Sequence, residues 1–345
     1  MPPTMMPAAV YRGDRTITVE QLPVPAPGDG EVLLEISHCG ICGSDLHLMM
    51  EDMGRPGSTG GHEFSGVVAV VGSAVEGWAV GDRAVGAFGP GCGNCVWCRE
   101  GRPNLCAGKG QAGLDSYMGA FAAYKVSPAD ALLRVPLGLD LRTAALAEPT
   151  AVAVRGVGRS GLSAGDRALV SGAGPIGLLT VAVLRTMGVD DVTVSEPFSS
   201  RQSLARAVGA TRVVHPDELP VPPAHPAQLV ESPFAAAIEC SGRSDAMERA
   251  LGLLGRGGTL VLSGTGLRRP RFDNNRIILN ELVVTGTVEY TRADYEQALS
   301  LLAGGRIPAD RLIEPEDVPL SGMRQAMEDL MAGQRPGKVM VVPHA

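Results

Sequence analysis

The sequence predicts a two-domain α/β protein, in which a turn-rich β portion is followed by a doubly wound parallel sheet. The chain has 345 residues, of which 45% are hydrophobic, and this is enough to bury two cores. Its 45 glycines and 26 prolines, against only 4% aromatic residues, indicate many tight turns. From about residue 160, apolar strands alternate with helical segments, which is the pattern of a parallel sheet covered by helices.

Residues 1 to about 150 favour β structure. Short apolar or alternating runs, such as EVLLEIS at 31–37 and FSGVVAVVG at 64–72, are separated by Gly and Pro turns. This half is therefore expected to be a β domain.

Six apolar strands follow in the second half of the chain. They are RALVSG, DVTVSE, TRVVH, AAAIECSG, GGTLVLSG and ELVVTGT, and helical segments such as SRQSLARAVG lie between them. This alternation predicts a parallel sheet with the strand order 3-2-1-4-5-6. The tail from about residue 290, which ends in the strand-like GKVMVVP, is too short for a domain and is predicted to return to the first one.

The composition disfavours several classes of function. A net charge of −7 argues against binding to a nucleic-acid backbone, which needs clustered Lys and Arg. The N-terminal MPPTMMPAAVYRGD has no basic stretch followed by an apolar one, so we expect a cytoplasmic protein without a secretory signal. Seven cysteines in that compartment are expected to be metal ligands or free thiols rather than disulfides.

Four of the cysteines are clustered in CGNCVWCREGRPNLC. Cys92, Cys95, Cys98 and Cys106 form the pattern C-x2-C-x2-C-x7-C, whose short spacers can close a local tetrahedral zinc shell. Free cysteines on a loop are the alternative, although such clustering is hard to explain without a metal. An iron–sulfur cluster uses the same ligands, but the spacing matches neither ferredoxin pattern. We predict a structural zinc site.

Another cysteine pair, Cys39 and Cys42 in CGICGSDLH, has no second pair to complete a four-thiolate site. Other ligands are available: GHE at 61–63 contains His62 and Glu63, and Glu148 lies in the otherwise apolar AALAEPTAVAV. A Cys, a His and one or two Glu would leave one coordination position open, which is typical of a catalytic zinc. Alternatively, Glu148 forms a salt bridge at the start of a helix, and His62 is a histidine in a strand whose hydrogen bonds are satisfied without a metal.

A glycine fingerprint lies in SGAGPIG at 171–177. Gly172, Gly174 and Gly177 form G-x-G-x-x-G after a predicted strand and at the start of a predicted helix, where free amides and the helix dipole favour a pyrophosphate. Glu196 ends the next strand, near the spacing expected for a carboxylate that binds ribose hydroxyls. Because this carboxylate would repel a 2′-phosphate, we predict NAD rather than NADP.

Together, these motifs resemble those of the zinc-dependent medium-chain alcohol dehydrogenases, in the group that includes polyol, butanediol and threonine dehydrogenases. The matching segments span essentially the whole chain and follow the family's order: CGICGSDLH, GGHEFSG, the four-cysteine loop, AEPTAV, SGAGPIG, VTVSEPFSSR and ECSG. The resemblance implies a β-rich GroES-like catalytic domain over residues 1–153 and 290–345 and a Rossmann NAD-binding domain over 154–289. It also implies a homodimer or homotetramer, assembled through the cofactor domain, that acts on a small-molecule alcohol.

The resemblance also implies a ligand set. It places a catalytic zinc on Cys42 and His62, with Glu63 or Glu148 completing the shell, and leaves Cys39 outside it. Branches with three protein ligands carry a cysteine where this chain has Glu148, so direct and water-mediated ligation by Glu148 both stay open.

Three residues of CGSDLH match a proton path in this family. Ser44 corresponds to the hydroxyl that takes the alcohol proton, Asp45 to the carboxylate that orients the zinc histidine, and His47 to the outer relay to solvent; a simple turn is the alternative for Ser44 and Asp45. Zinc lowers the pKa of an alcohol that it binds, so a hydroxyl chain can remove the proton while hydride leaves for the nicotinamide. The implied cofactor-binding residues are Gly172, Gly174, Pro175, Ile176, Gly177, Glu196, Arg201 and Cys240.

The substrate is less well determined by the sequence than the reaction. In TVEY, Glu289 aligns with an Arg of sorbitol-type enzymes, so an acid would stand in the substrate pocket; a surface salt bridge to Arg292 is the alternative. Phe88, Met49 and Met50 are either pocket walls or packing residues.

We therefore predict NAD- and zinc-dependent oxidation of a secondary alcohol, polyol, amino alcohol or cyclitol to the ketone. A zinc-free quinone reductase lacks the metal residues found here. A non-catalytic zinc- and nucleotide-binding protein would leave the glycine fingerprint and Ser44 unexplained.

Overall fold

The computed structural model describes residues 1–86, 91–108 and 119–344. It divides into two compact units. The first unit comprises Met1–Glu148, Thr291–Gly304 and Ile313–Ala345, and the second comprises Pro149–Tyr290 and Gly305–Leu312. Residues 149–153, Tyr290 and the segment Gly305–Leu312 thus belong to the second unit, although the sequence analysis assigned them to the first domain.

The elements are numbered in chain order. Those up to residue 158 are β1 (Met5–Gly13), β2 (Thr16–Pro23), β3 (Glu31–Gly40), α1 (Gly43–Met50), β4 (Glu63–Val71), β5 (Arg83–Gly86), α2 (Val96–Arg99), β6 (Tyr124–Pro128), β7 (Leu132–Arg134), α3 (Leu141–Ala144) and α4 (Ala147–Gly158). Those from residue 167 to residue 286 are β8 (Arg167–Ser171), α5 (Pro175–Thr186), β9 (Asp191–Ser195), α6 (Ser199–Ala207), β10 (Arg212–Val214), β11 (Phe234–Glu239), α7 (Ser244–Gly252), β12 (Leu254–Leu262), α8 (Asn274–Leu279) and β13 (Val283–Gly286). The remaining elements are α9 (Arg292–Ala303), α10 (Ala309–Leu312), β14 (Val318–Pro319), α11 (Met323–Met331) and β15 (Met340–Val342).

The first unit is built on a seven-stranded sheet in the order β14-β15-β3-β4-β5-β7, and β6 also pairs with β3. Strand β3 is the centre of the unit and buries side chains on both faces, since Val32, Leu34 and Ile36 lie in one apolar cluster and Leu33 in another. This two-sided burial explains the near-continuous apolar run in EVLLEIS.

The C-terminal end of β3 brings three distant parts of the chain together. Gly40 lies opposite Glu63 of β4 on one side and opposite Met340 of β15 on the other. The loop to α1 starts directly after Gly40. Residues 40, 63 and 340 therefore lie next to one another at the C-terminal end of β3, and the candidate metal site of the first unit is located there.

The second unit contains a six-stranded parallel sheet in the order β10-β9-β8-β11-β12-β13. Numbered within the unit, this is 3-2-1-4-5-6, so the predicted doubly wound order is confirmed. All strands run in the same direction, so the turns that follow them lie at one edge of the sheet. The proline-rich segment at 219–226 lies between β10 and β11.

Among the described residues, no helix is both long enough and apolar enough to cross a lipid bilayer.

Candidate metal centres and nucleotide site

The four-cysteine loop brings its thiols together. One sulfur from each of Cys92, Cys95, Cys98 and Cys106 lies within 4.8 Å of the others. Cys95 caps the short helix α2 and Cys98 lies within it, so local helical geometry sets their spacing. The donor set and its proximity fit a tetrahedral zinc ion.

Backbone amides favour the ionised form of some of these thiols. Backbone hydrogen bonds from Cys98 and Ala107 lower the pKa of Cys95 to about 6. The amides of Cys92 and Gly108 donate to the sulfur of Cys106, at 3.2 and 3.3 Å, and lower its pKa as well. Burial raises the pKa of Cys98 to about 11. A bound cation would ionise this thiol too, since zinc binds thiolates.

A second group of possible ligands lies at the end of β3. The sulfur of Cys42, a nitrogen of His62 and a carboxylate oxygen of Glu63 lie within 4.8 Å of one another. Cys42 is the N-cap of α1 and Glu63 is the first residue of β4. The mixed donor set of sulfur, nitrogen and oxygen fits a zinc site with an open position.

Glu63 is held by a lysine that the sequence analysis did not identify. Both side chains are buried, and Lys338 Nζ donates to Glu63 Oε1 at 2.7 Å and to Oε2 at 2.5 Å. The same ammonium group donates to the carbonyl of Ile41 at 2.9 Å, next to Cys42. Burial alone would lower the pKa of Lys338, but the charges of Glu63 and Cys42 raise it above its ordinary value. Lys338 is therefore a charged member of the site.

The surroundings of His62 favour positive charge. Burial lowers the pKa of His62, but the charge of Cys42, a hydrogen bond to Cys42, and the charges of Asp45 and Glu148 together raise it well above its ordinary value. A position that stabilises an imidazolium would also stabilise a metal cation in its place.

Asp45 connects the two segments that carry these ligands. Its Oδ2 accepts from the amide of Cys42 at 2.8 Å, and its Oδ1 accepts from the amide of Gly61 at 3.4 Å. His62 Nδ1 is 4.0 Å from Asp45 Oδ1, which is ion-pair distance rather than hydrogen-bond distance. Asp45 therefore contacts the loop of His62 through the amide of Gly61 and lies at ion-pair distance from the imidazole.

Glu148 lies close to the same group. It is 4% exposed in the first turn of α4, and its charge raises the pKa values of His62 and Lys338. Among the described residues, it is not one of the three whose ligand atoms lie within 4.8 Å of one another. Tyr295, which the sequence analysis also did not identify, is fully buried, and its hydroxyl donates to the carbonyl of Gly86 at 2.7 Å. Burial, with the charges of Glu148 and Glu63, raises the pKa of Tyr295 well above its ordinary value.

Helix α1 presents the predicted proton path. Ser44 and His47 are three residues apart, so they lie on one face of the helix. One turn further, His47 Nδ1 is 2.7 Å from Glu51 Oε2. Ser44 and Glu51 are exposed and His47 is partly exposed, so the face leads to solvent.

In the second unit, the glycines of the fingerprint have three distinct roles. Gly172 has φ of +93°, which disfavours other residues. A Cβ on Gly174 would meet nothing within 4 Å, so the open space beside this N-cap of α5 is available to a ligand. A Cβ on Gly177 would lie 1.9 Å from the carbonyl oxygen of Gly172. This geometry matches the three glycines of a dinucleotide-binding motif: the first allows the tight turn, the second lets a pyrophosphate approach the backbone, and the third allows close packing of the helix.

The other predicted cofactor residues lie at the same edge of the sheet. Glu196 follows β9 and is 2% exposed; its Oε2 accepts from the amide of Ala173 at 2.7 Å and its Oε1 from that of Phe198 at 3.0 Å. Arg201 lies over the Phe198 ring, 5.3 Å from its centroid. Cys240 follows β11, and burial raises its pKa to about 12. Pro175 and Ile176 begin α5 and are partly exposed.

Several residues that the sequence analysis considered lie elsewhere. Cys39, Met49 and Met50 are buried in the apolar core of the first unit, where Met49 and Met50 act as packing residues. Phe88 lies outside the described residues. Glu289 has φ of +50°, a left-handed backbone that is unusual for this residue type. Arg292, the proposed ion-pair partner of Glu289, contacts Glu296 at 3.0 Å.

An open cleft of about 880 Å³ lies on the first unit, between the region of Trp78 and helix α9. Its lining includes Asp130, Arg134 and Glu296, and it includes none of the candidate metal ligands. The two candidate metal centres therefore lie outside this cleft.

Comparison with known proteins gives consistent matches along the chain. Residues 28–137 match the model of the alcohol dehydrogenase GroES-like domain, and residues 175–304 match that of the zinc-binding dehydrogenases. The chain is 34% identical to 2-dehydro-3-deoxy-L-galactonate 5-dehydrogenase of Pseudoalteromonas atlantica over 338 residues, which cover 97% of this chain and 98% of that protein. It is 34% identical to L-threonine 3-dehydrogenase of Xanthomonas euvesicatoria pv. vesicatoria over 344 residues, which cover 97% and 99%. A solved structure of a zinc-binding dehydrogenase from Sinorhizobium meliloti bound to NADP is similar, with a TM-score of 0.86, 32% identity and coverage of 99% of this chain and 100% of that one.

Proposed function

The chain belongs to the zinc-dependent medium-chain alcohol dehydrogenases, and from that premise we propose that it oxidises a secondary alcohol to a ketone with NAD as the hydride acceptor. The observation that carries the proposal is the group formed by Cys42, His62 and Glu63, whose ligand atoms lie within 4.8 Å of one another. The glycine fingerprint of the second unit supports the use of a dinucleotide.

We assign the catalytic zinc to Cys42, His62 and Glu63, with Glu148 as the neighbouring carboxylate, and the structural zinc to the four-cysteine loop. When bound at the first of these sites, zinc would supply Lewis acidity that favours loss of the alcohol proton. The protein would contribute the sulfur of Cys42, the imidazole of His62 and a carboxylate at Glu63 that Lys338 holds in place. Asp45 fixes the loop of Cys42 relative to that of Gly61.

We assign the proton path to one face of α1. Ser44 would accept the proton from the alcohol, and His47 would pass it to solvent. Glu51 Oε2, 2.7 Å from His47 Nδ1, would keep the imidazole in one orientation, with its other nitrogen directed away from Glu51.

The preference for NAD would come from Glu196. Its carboxylate is fixed by the amides of Ala173 and Phe198, so it cannot easily turn away from a 2′-phosphate. Ribose hydroxyls, in contrast, can donate to its remaining lone pairs. The similar protein from Sinorhizobium meliloti was solved with NADP, and the ratio of kcat/KM for NAD to that for NADP tests the preference of this chain.

For the substrate, we propose a polyol, an amino alcohol or a cyclitol. By their names, two relatives act at carbon 5 of 2-dehydro-3-deoxy-L-galactonate and at carbon 3 of L-threonine. Both are secondary alcohols with polar groups nearby. The left-handed backbone of Glu289 supports a functional role for this acid, because residues with strained backbone angles are concentrated at active sites and ligand-binding sites.

A homodimer or homotetramer through the cofactor domain is part of the proposal. Among the described residues, β13 is an edge strand of its sheet, and Ile278, Leu279, Val283 and Val288 nearby are exposed apolar side chains. An edge of this kind can pair with a second copy of the chain.

The test is NAD reduction by the purified protein, followed by NADH absorbance across a panel of diols, polyols, amino alcohols and cyclitols. Activity should disappear when zinc is removed with a chelator and return when zinc is added. Cys42→Ser should abolish turnover while NAD binding persists, whereas Cys39→Ser, the matched thiol control, should have a mild effect. Equal loss in both variants would mean that the wrong thiol was assigned. Absence of NAD reduction across the whole panel, in zinc-loaded protein, would contradict the proposed function.

A further inference from the structure

A second carboxylate is buried at the nucleotide edge of the parallel sheet. Glu239 ends β11 and is 0% exposed. Its Oε1 accepts from the amide of Ser241 at 2.7 Å and from the hydroxyl of the same residue, and its Oε2 accepts from the amide of Gly242 at 3.1 Å. The carboxylate therefore shapes the turn that follows its own strand.

The same residue also holds the next turn. The carbonyl of Glu239 accepts from the amides of Ser263 and Gly264, at 2.9 and 2.8 Å, just after β12. The two turns are in close backbone contact: a Cβ on Gly242 would lie 2.0 Å from the carbonyl oxygen of Thr265. Displacement of the turn after β11 would thus displace the turn after β12.

The turn after β11 touches the glycine fingerprint as well. A Cβ on Gly172 would lie 2.9 Å from the Cβ of Ser241 and 3.1 Å from its amide nitrogen. The amide of Cys240 donates to the carbonyl of Ser171 at 2.8 Å. Ser241, which donates two hydrogen bonds to the Glu239 carboxylate, is therefore packed against the first glycine of the fingerprint.

We propose that Glu239 is a positioning residue for the nicotinamide half of the cofactor. The inference rests on the proposed function. In a doubly wound sheet each half binds one mononucleotide, and Glu196 follows a strand of the first half whereas Glu239 is the last residue of the first strand of the second half. Glu239 holds the turns after β11 and β12 in the arrangement that receives the second mononucleotide, and it does so without touching it.

Substitution by glutamine isolates this role. Glutamine has nearly the same shape, but one of its terminal atoms is an NH₂ group that donates rather than accepts. It can still accept from Ser241, yet the NH₂ group would then face the amide of Gly242, so that two donors oppose each other. A buried donor without an acceptor is costly, and the turn would move to relieve it.

The experiment compares Glu239→Gln with wild type in the full-length, zinc-loaded protein. NADH affinity is measured by fluorescence and AMP affinity by calorimetry. We expect NADH to bind about tenfold or more weakly, while AMP affinity falls about threefold or less, because AMP uses the half of the sheet that contains Glu196 and that half meets the turn after β11 through the contact of Ser241 with Gly172. A general loosening of the unit would weaken both ligands. Equal weakening of both, or unchanged NADH affinity, would overturn the proposal.

Glu248→Gln is the matched control. Glu248 lies in the same unit and its carboxylate also accepts from a backbone amide, that of Arg271 at 2.7 Å, but on the exposed surface. This variant should bind both ligands as wild type does. If Glu239→Gln does not fold, Ser241→Ala decides alone: it should weaken NADH about threefold and leave AMP unchanged, and an unchanged NADH affinity would refute the inference. Failure of wild type to bind NADH would refute the proposed function instead.

Discussion

The ion pair between Lys338 and Glu63 predicts a strong and specific effect of removing the lysine. In metal-free protein, Lys338→Met leaves a fully buried carboxylate without its two hydrogen bonds of 2.7 and 2.5 Å. Breaking a buried ion pair by removing one partner costs about 3–5 kcal/mol. The free energy of unfolding of the first unit should fall by that amount. For a unit of this size, its melting temperature should then fall by roughly 6–20 °C.

The assay is thermal unfolding followed by tryptophan fluorescence. Both tryptophans, Trp78 and Trp97, lie in the first unit, so the signal reports the unit that contains the ion pair. Lys125→Met is the control, because Lys125 lies in the same unit beside the Phe64 ring and burial lowers its pKa. Because burial already disfavours the charged form of Lys125, Lys125→Met should lower the free energy of unfolding less than Lys338→Met does.

The double variant Glu63→Gln, Lys338→Met separates the ion pair from simple packing. With both charges gone, the loss of stability should be clearly smaller than the sum of the two single losses. Zinc should stabilise Lys338→Met more than it stabilises wild type, since the cation would compensate the unpaired carboxylate. A loss below about 1 kcal/mol for Lys338→Met, or additive effects in the double variant, would refute this account of the site.

Three further predictions concern other parts of the molecule. Cys106→Ser should lower the zinc content from about two ions per chain to about one, measured by elemental analysis; an unchanged content would argue against a zinc in the four-cysteine loop. Glu196 should favour NAD over NADP by roughly 2 kcal/mol or more in kcat/KM, and Glu196→Ala should reduce that preference; equal kcat/KM values in wild type would contradict its role. Glu289→Gln should lower kcat/KM for the best polyol or amino alcohol about tenfold or more, whereas a change confined to thermal stability would make the residue structural.

Those features of the fold and of the candidate sites that depend on local sequence patterns could be predicted from the sequence. The order of the parallel sheet followed from the alternation of apolar strands with helices, because right-handed crossovers leave few alternatives. The four-cysteine loop was recognisable because its ligands lie close together in the chain. The glycine fingerprint was recognisable for the same reason, since its three glycines lie within a single turn of the chain.

Contacts between distant segments could not be predicted in this way. Lys338 lies 275 residues from Glu63 in the chain. The segment GKVMVVP shows only that a charged residue precedes an apolar strand, and this does not identify the lysine as the buried partner of Glu63. The hydroxyl of Tyr295 reaches the carbonyl of Gly86 over 209 residues. Glu239 was part of a recognised motif, ECSG, but its role depends on the turn after β12. The assignment of Gly305–Leu312 to the second unit is likewise a matter of tertiary packing.

The two units compensate buried carboxylates by different means, and the difference suits their ligands. Glu63 is neutralised by the ammonium group of Lys338, which removes one negative charge from a site that also holds Asp45, Glu148 and the Cys42 thiol. The remaining negative charge is then closer to what a divalent cation can balance. Glu196 and Glu239 are instead satisfied by neutral donors, the backbone amides of their own and neighbouring turns. Amides meet the hydrogen-bonding needs of a carboxylate but leave its charge in place. In the proposed function the charge of Glu196 is an advantage at the nucleotide edge, since this carboxylate would accept hydrogen bonds from ribose hydroxyls and oppose an additional phosphate, whereas Glu239 would act only on the turns.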